Sequence, residues 1–237
     1  MISFVIPAYN EEELIADCIG SIRYAVALAK IKEYEIIVVD NNSTDNTSNR
    51  AKGLGAKVIS EKRKGVTRAR QAGLEAARYE LVAFIDADNF LPEEWVRFAL
   101  ATMDDRKVVA AAGPLVYHDL GLGKRLTGFL FYLFAKAVHY VLPMTTGGNC
   151  ILRKSALVAV GGFNTEIDFY GDDTDTAVRL SKVGKVKFDL DLWTFSSARR
   201  MEAEGFFVIG LRYIANWAWI WIFGKPLTTS YYDHRPK

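Results

Sequence analysis

Leu81-Val82-Ala83-Phe84-Ile85-Asp86-Ala87-Asp88 is an apolar run of five residues that ends in two carboxylates. A continuous apolar run bounded by turn residues reads as a strand buried on both faces of a parallel sheet. In open α/β sheets, ligands sit outside the carboxyl ends of the strands. Asp86 and Asp88 are two residues apart on that strand end and share a face, so both can turn toward one cation. Hard oxygen ligands of this kind suit Mg²⁺ or Mn²⁺, held by one or two carboxylates with substrate phosphates completing the shell. The pair alone is equally compatible with a loop or a helix cap, so the surrounding segments decide.

Working outward, Ile2 to Ile6, Glu35 to Val39 and Lys57 to Ile59 have the same strand-like character and alternate with helical periods. That alternation predicts βαβ units and a mostly parallel sheet flanked by helices, a Rossmann-like α/β fold. The first helix is expected from Asn10, with Glu13 completing a capping box and Leu14, Ile15, Ile19, Ile22 and Val26 forming its apolar stripe. Ser43 or Thr44 opens a second, short helix that stops near Gly53 or Gly55, and a third runs from Val66 to Arg78. Beyond Asp88, Val108 to Val116 and Asn149 to Arg153 read as strands. Helices are expected at Ser155 to Val160 and from about Thr174 to Val183.

The 237 residues contain no linker-like stretch, which predicts one domain. Its parts are a nucleotide-binding half at 1–105, an acceptor half at 106–200 and an apolar C-terminal helix and tail at 201–237. A net charge of +2 with 24% charged residues implies no nucleic-acid partner. Cys18 and Cys150 lie far apart in apolar stretches and read as buried thiols of a reducing compartment. Neither a basic leader nor an apolar signal segment opens the sequence, and a cytoplasmic body is expected.

Two segments break the soluble pattern, Leu126 to Leu142 and Phe206 to Phe223. Their lengths approach the ~20 residues that span a bilayer. Each carries polar residues at helical spacing, however: Tyr132, Lys136 and Tyr140 in the first, Arg212 and Asn216 in the second. A central Arg or Lys costs about 2.5–3.5 kcal/mol on insertion, which disfavours spanning. Lys124, Arg125 and Lys225 suit anionic headgroups, and Trp217, Trp219 and Trp221 suit headgroup depth, so peripheral contact with the inner face of a membrane is one reading. Packing on the domain or across a homodimer is the other.

The chemistry gathers at the strand ends. Tyr9 follows the first strand at the start of a helix, where an aromatic ring can stack on a base and free N–H groups favour an anion. Asp40 ends the second strand and can accept the imino N–H of uracil or guanine, or else form an Asx turn. Arg63, Lys64, Arg68 and Arg70 form a basic cluster for base, ribose or phosphates; a solvated face is the preferred reading for Lys64 and Arg68. Gly147-Gly148-Asn149 permits close backbone approach to a substrate. Asp172, Asp173 and Asp175 crowd the start of a helix, where some act as caps and one is placed as a general base. Arg199 and Arg200 suit a diphosphate, or surface ion pairs.

As an ordered set these segments resemble the family 2 glycosyltransferases of the GT-A fold: 5–12, 38–45, Asp86-Ala87-Asp88, Gly147-Gly148-Asn149, Gly161-Gly162-Phe163 and 171–175. The resemblance implies an inverting transferase that takes a UDP- or GDP-sugar donor, uses Mn²⁺ or Mg²⁺, and glycosylates a sugar or a lipid-linked acceptor. It implies nucleotide-sugar contacts at Pro7, Ala8, Tyr9, Glu11, Asp40, Arg70, Asp86, Ala87, Gly148, Asn149, Arg199 and Arg200. Asp88, with Asp86, would ligate the metal, and Asp173 would be the base. The family's Glu-Asp is Asp172-Asp173 here, which leaves the base open to a shift of one residue. The processive members' Gln-x-x-Arg-Trp is replaced by Ser197-Ala198-Arg199-Arg200, implying one sugar per encounter. A sugar-nucleotide nucleotidyltransferase competes, but Pro7 to Glu13 lacks the glycines of its phosphate loop. So does a non-catalytic, membrane-docked scaffold that binds nucleotide sugars.

Overall fold

The computed structural model describes residues 1–117, 119–139, 142–167 and 170–228. The first half alternates as expected: β1 (Ile2–Ala8), α1 (Ile15–Leu28), β2 (Tyr34–Asp40), α2 (Thr47–Gly53), β3 (Lys57–Ser60), α3 (Val66–Ala76) and β4 (Leu81–Ile85). Then come β5 (Asn89–Phe90), α4 (Trp95–Asp104), β6 (Val108–Ala112), β7 (Leu115–Tyr117) and α5 (Leu122–His139). The rest is β8 (Asn149–Arg153), α6 (Lys154–Ala159), α7 (Asp172–Leu180), β9 (Lys185–Phe188), β10 (Thr194–Ser196), α8 (Arg199–Glu204) and α9 (Phe206–Phe223). Tyr140 and Val141 lie outside the described residues.

Seven strands form one sheet in the order β3-β2-β1-β4-β8-β6-β9, and β5, β10 and β7 form a small second sheet. β1 to β4 pair parallel, while β8 runs antiparallel between β4 and β6. The reversal has a functional consequence. The parallel strands bring their ends to one edge, and β8 brings its beginning there, with Asn149 opposite Ile85. Gly147 and Gly148 therefore meet Asp86 at the same edge.

Alternate residues of the central strands enter two cores, one on each face of the sheet. Phe4, Ile6, Val38 and Ile85 pack with α1 and α4 through Ile15, Ile19, Ile22, Trp95 and Val96. Val5, Ile37, Val39 and Phe84 pack with α3, α6 and α7 through Leu74, Leu157 and Leu180. Each such buried side chain contributes about 1.5–3 kcal/mol. Cys18 and Cys150 are both buried and in no disulfide.

Local details depart from expectation. No capping box forms at Asn10: α1 starts at Ile15, and Asn10 instead accepts the Thr44 N–H on its Oδ1 at 2.8 Å. The loop after β2 needs that partner more than a helix five residues away does. α2 opens at Thr47 rather than Ser43 or Thr44, because Asp40 accepts the Ser43 N–H and Asp45 accepts the Thr47 N–H. The expected strand at Val108 to Val116 divides at Gly113-Pro114: Pro114 has no N–H to give, and a Cβ on Gly113 would lie 2.1 Å from the Leu192 carbonyl oxygen. α7 opens at Asp172, two residues before the expected start at about Thr174, so Asp172 and Asp173 join Asp175 within its first turn.

Candidate active site

A cavity of about 1000 Å³ opens at the carboxyl edge. Pro7, Ala8, Tyr9 and Glu11 from the end of β1, Asn41 after β2, and Asp86, Ala87 and Asp88 after β4 form its polar floor. Arg70, Gly148, Asp172, Asp173, Arg199 and Arg200 form its sides. Most of the residues singled out in the sequence thus share one cleft.

Asp40 and Asn149 stand apart from it. Asp40 is half-buried and accepts the N–H of Ser43, three residues on, at 3.0 Å, while the neighbouring Asn41 lines the cavity. Asn41 donates to the carbonyls of Glu61 and Arg63 and accepts the Gly65 N–H, fastening the basic loop to the sheet edge. Asn149 is fully buried, and its amide is spent on Trp95 Nε1 and the carbonyls of Pro114 and Leu192. Its amide fastens the cleft wall to Trp95 and to the carbonyls of Pro114 and Leu192.

Arg70 links two carboxylates. It is 4% exposed, donates through Nη2 to Asp86 at 2.9 Å, and through Nη1 to Asp172. The glycines permit this arrangement, since a Cβ on Gly147 would meet Arg70 at 2.6 Å and one on Gly148 would meet Asp86 at 1.9 Å. Arg70 thus positions the acidic pair on α7 against the strand-end aspartates.

Glu11, Asp86 and Asp88 crowd the other end of the floor. Arg199 Nη2 donates to both oxygens of Glu11, at 2.9 and 3.1 Å, and to Asp88 at 3.3 Å. Burial, reinforced by the charges of Glu11 and Asp86 and only partly offset by Arg199, pushes the Asp88 carboxyl up to about 6. The unbalanced negative charge fits a hard divalent cation at Asp88. Among the described residues no three His, Cys, Asp or Glu side chains gather closely enough to hold a metal unaided. One or two carboxylates completed by phosphate oxygens is the arrangement this donor set allows.

The two adjacent arginines do not act as a pair. Successive residues on a helix point about 100° apart, so Arg199 faces Asp88 while Arg200 donates to Glu204 Oε1 at 3.1 Å and to the Tyr213 hydroxyl at 3.1 Å. Lys64 is likewise more than a solvated residue. Its ammonium donates to the Tyr9 hydroxyl at 2.6 Å and sits 4.2 Å from the centre of that ring. Asn41 and Lys64 carried no sequence signal beyond following a strand and ending a basic run.

Asp172 and Asp173 differ in their partners. Burial raises both carboxyls; at Asp172 the charge of Asp173 adds to it and Arg70 opposes it, while at Asp173 the Thr174 N–H and Arg70 oppose it. Asp172 is bound by Arg70, while Asp173 Oδ1 accepts the Thr174 N–H at 2.7 Å. Asp173 is the carboxylate held by no ion pair shorter than 4 Å among the described residues, which leaves it better suited to take a proton.

The charge crowding predicts a stability effect. The folded-state carboxyl of Asp88 is raised, so its favourable contribution is present at low pH and lost as pH rises through about 6. At pH 7.5 Asp88→Asn is expected to raise the melting temperature of the metal-free protein by about 1 kcal/mol equivalent, roughly 2–4 °C at this size. The same variant should lose the additional stabilisation given by Mn²⁺ with a nucleoside diphosphate. Scanning calorimetry in EDTA and in Mn²⁺ measures both; a lower melting temperature in EDTA would contradict the repulsion.

A sequence profile described as Glycosyl transferase family 2 matches residues 3–161. Glycosyltransferase AglE of Haloferax volcanii is 30% identical over 122 residues, covering 49% of this chain and 40% of that protein. The matches to the foremost curated relatives span about two fifths of those proteins' lengths. A mannosyltransferase from Pyrobaculum calidifontis, solved with GDP-Man and Mn²⁺, superposes with a TM-score of 0.69 at 21% identity, covering 89% of this chain and 64% of that one. Glucosyl-3-phosphoglycerate synthase from Mycobacterium tuberculosis, solved with Mn²⁺, UDP-Glc and phosphoglyceric acid, gives 0.67 at 22% identity, with 95% and 80% covered. At these identities the structural likeness establishes the GT-A fold.

Proposed function

The chain belongs to glycosyl transferase family 2, and from that premise we propose that it moves a sugar from a UDP- or GDP-sugar to an acceptor oxygen with inversion. The observation that carries this reading is one cleft that takes in Asp88, bound by Arg199 together with Glu11, and Asp173. Residues 1–105 supply the donor half of that cleft and residues 106–200 most of the acceptor half.

Tyr9, Lys64 and Asn41 border the space for the nucleoside, with Pro7 and Ala8 as its floor. Asp88, supported by Asp86, would hold Mn²⁺ or Mg²⁺; when bound, the ion neutralises charge that develops on the departing diphosphate. Arg199 stands at the same place and contributes a second positive charge. The acceptor oxygen forms the new bond to the anomeric carbon from the face opposite the diphosphate. The bond from that carbon to the β-phosphate oxygen breaks, and its electron pair leaves with the nucleotide. A hydroxyl acceptor gives its proton to Asp173; an acceptor phosphate has none to give. The acceptor is a sugar or a lipid-linked molecule, met in the cytoplasm or at the inner face of a membrane.

Donor identity is tested by melting the protein with UDP-glucose, UDP-N-acetylglucosamine and GDP-mannose, with and without Mn²⁺. The true donor at a hundredfold excess over its Kd is expected to add about 2.7 kcal/mol only when Mn²⁺ is present. Equal shifts with and without the ion would contradict metal-bridged binding.

A further inference from the structure

Resting on the transfer reading, the geometry points to a corridor between α5 and α9 that seats the hydrocarbon chain of a membrane-resident lipid acceptor, with its head oxygen at Asp173. The cavity that begins at the acidic floor continues between these helices, where Phe131, Phe134, Phe207, Ile214 and Trp217 line it. A water-soluble sugar acceptor would find no hydrogen-bonding partner on most of that wall. Phe134 is 65% exposed and Phe207 69%, so the corridor's outer walls are uncovered aromatic rings.

The corridor starts at the proposed base. Burial, with the Asp173 charge nearby, pushes the Tyr132 hydroxyl on α5 up to about 12. Tyr132 and Tyr213, the latter on α9, line the cavity together with Asp173. Trp217 adds a donor: its indole N–H is buried and has no hydrogen-bond partner among the described residues. An oxygen in the lipid's head region would satisfy it.

The outer surface identifies where the lipid comes from. α9 is long and apolar enough to cross a membrane and only 17% of it is buried. Yet its polar side chains turn inward: Arg212 donates to the Tyr170 hydroxyl at 2.8 Å, and Asn216 pairs with Leu227 and Thr228. A helix with its polar groups committed to the protein body and its apolar face open lies along a bilayer surface. The exposed Lys124 and Arg125 in the first turn of α5, and Lys225 just after α9, complement anionic headgroups. A second copy seated there would close the mouth through which the acceptor enters and, in a two-fold contact, set these like charges against each other.

The head oxygen, hydroxyl or phosphate, forms the bond to the anomeric carbon as the nucleoside diphosphate leaves with the electron pair. Only the hydroxyl case passes a proton to Asp173.

The test uses the whole chain with farnesyl phosphate and farnesol, against dimethylallyl phosphate and dimethylallyl alcohol, which keep the heads and shorten the chain. Binding at least tenfold tighter for the long chains is expected, with flotation on phosphatidylglycerol-containing vesicles. Phe134→Gln/Phe207→Gln, at two exposed positions, should reduce long-chain affinity and flotation at least tenfold with an unchanged melting curve. Equal affinity for both lengths, flotation untouched by the double variant, or a dimer in sedimentation that the variant dissociates would overturn the corridor. Mn²⁺-dependent hydrolysis of the stabilising donor by the unmodified protein tests the transfer reading separately. If hydrolysis fails while chain-length preference holds, the lipid site stands and the transferase falls; hydrolysis without that preference removes only the lipid site.

Discussion

Asp173→Asn is expected to lower kcat for transfer to a hydroxyl acceptor by about 10²–10⁴-fold, the range lost with a general base. Donor binding should be unchanged, because Asp173 lies at the acceptor end and the donor's phosphates belong at Asp88. Transfer to an acceptor phosphate should survive, since that oxygen is already anionic. The carboxyl is raised by burial, so the rate with a hydroxyl acceptor should climb with pH through a point above the ordinary carboxylate range. Asp172→Asn is the internal control. Its carboxyl is engaged by Arg70, so it should impair both acceptor classes alike through loss of positioning. A larger hydroxyl-specific loss for Asp172→Asn would move the base by one residue.

The largest effect on stability is expected at Arg70. Replacing it with glutamine leaves Asp172 buried beside Asp86 with no compensating charge, and removing one partner from such a site costs about 3 kcal/mol or more. Asp86 keeps partial access to water, its side chain being 36% exposed, so most of the loss falls on Asp172, at 11%. The pH dependence has a definite sign. With Arg70 gone, the folded-state carboxyl of Asp172 rises further above its unfolded value. The variant is therefore most stable in acid and loses stability as pH rises through the neutral range. Urea titrations at pH 5.5 and 8 measure this, and a deficit that is the same at both values would show that packing rather than charge is lost.

The central sheet was legible because its signals are local. Leu81 to Ile85, Ile2 to Ile6 and Glu35 to Val39 are short apolar runs, and a strand that must be covered on both faces has little freedom to be anything else. α9 occupies the stretch of apolar residues that marks it, Phe206–Phe223. The acidic motifs were legible for a related reason, since Asp86-Ala87-Asp88 and Asp172-Asp173 are unusual in sequence as well as placed at element ends. The capping box at Asn10 misled because a side chain with two possible partners takes the one the tertiary fold brings near, here the Thr44 N–H.

Sequence by itself determined the α/β class, the family and which carboxylates are candidates, because strand burial and element ends are written in neighbouring residues. Tertiary structure alone decided that Arg70 reaches Asp172 across 102 positions, that Arg199 reaches Glu11 across 188, and that the buried Asn149 amide is taken by Trp95 and two backbone carbonyls. Those pairings depend on the antiparallel insertion of β8 and on the return of α8 to the carboxyl end of β1, and no local pattern encodes which distant charge a buried side chain will meet.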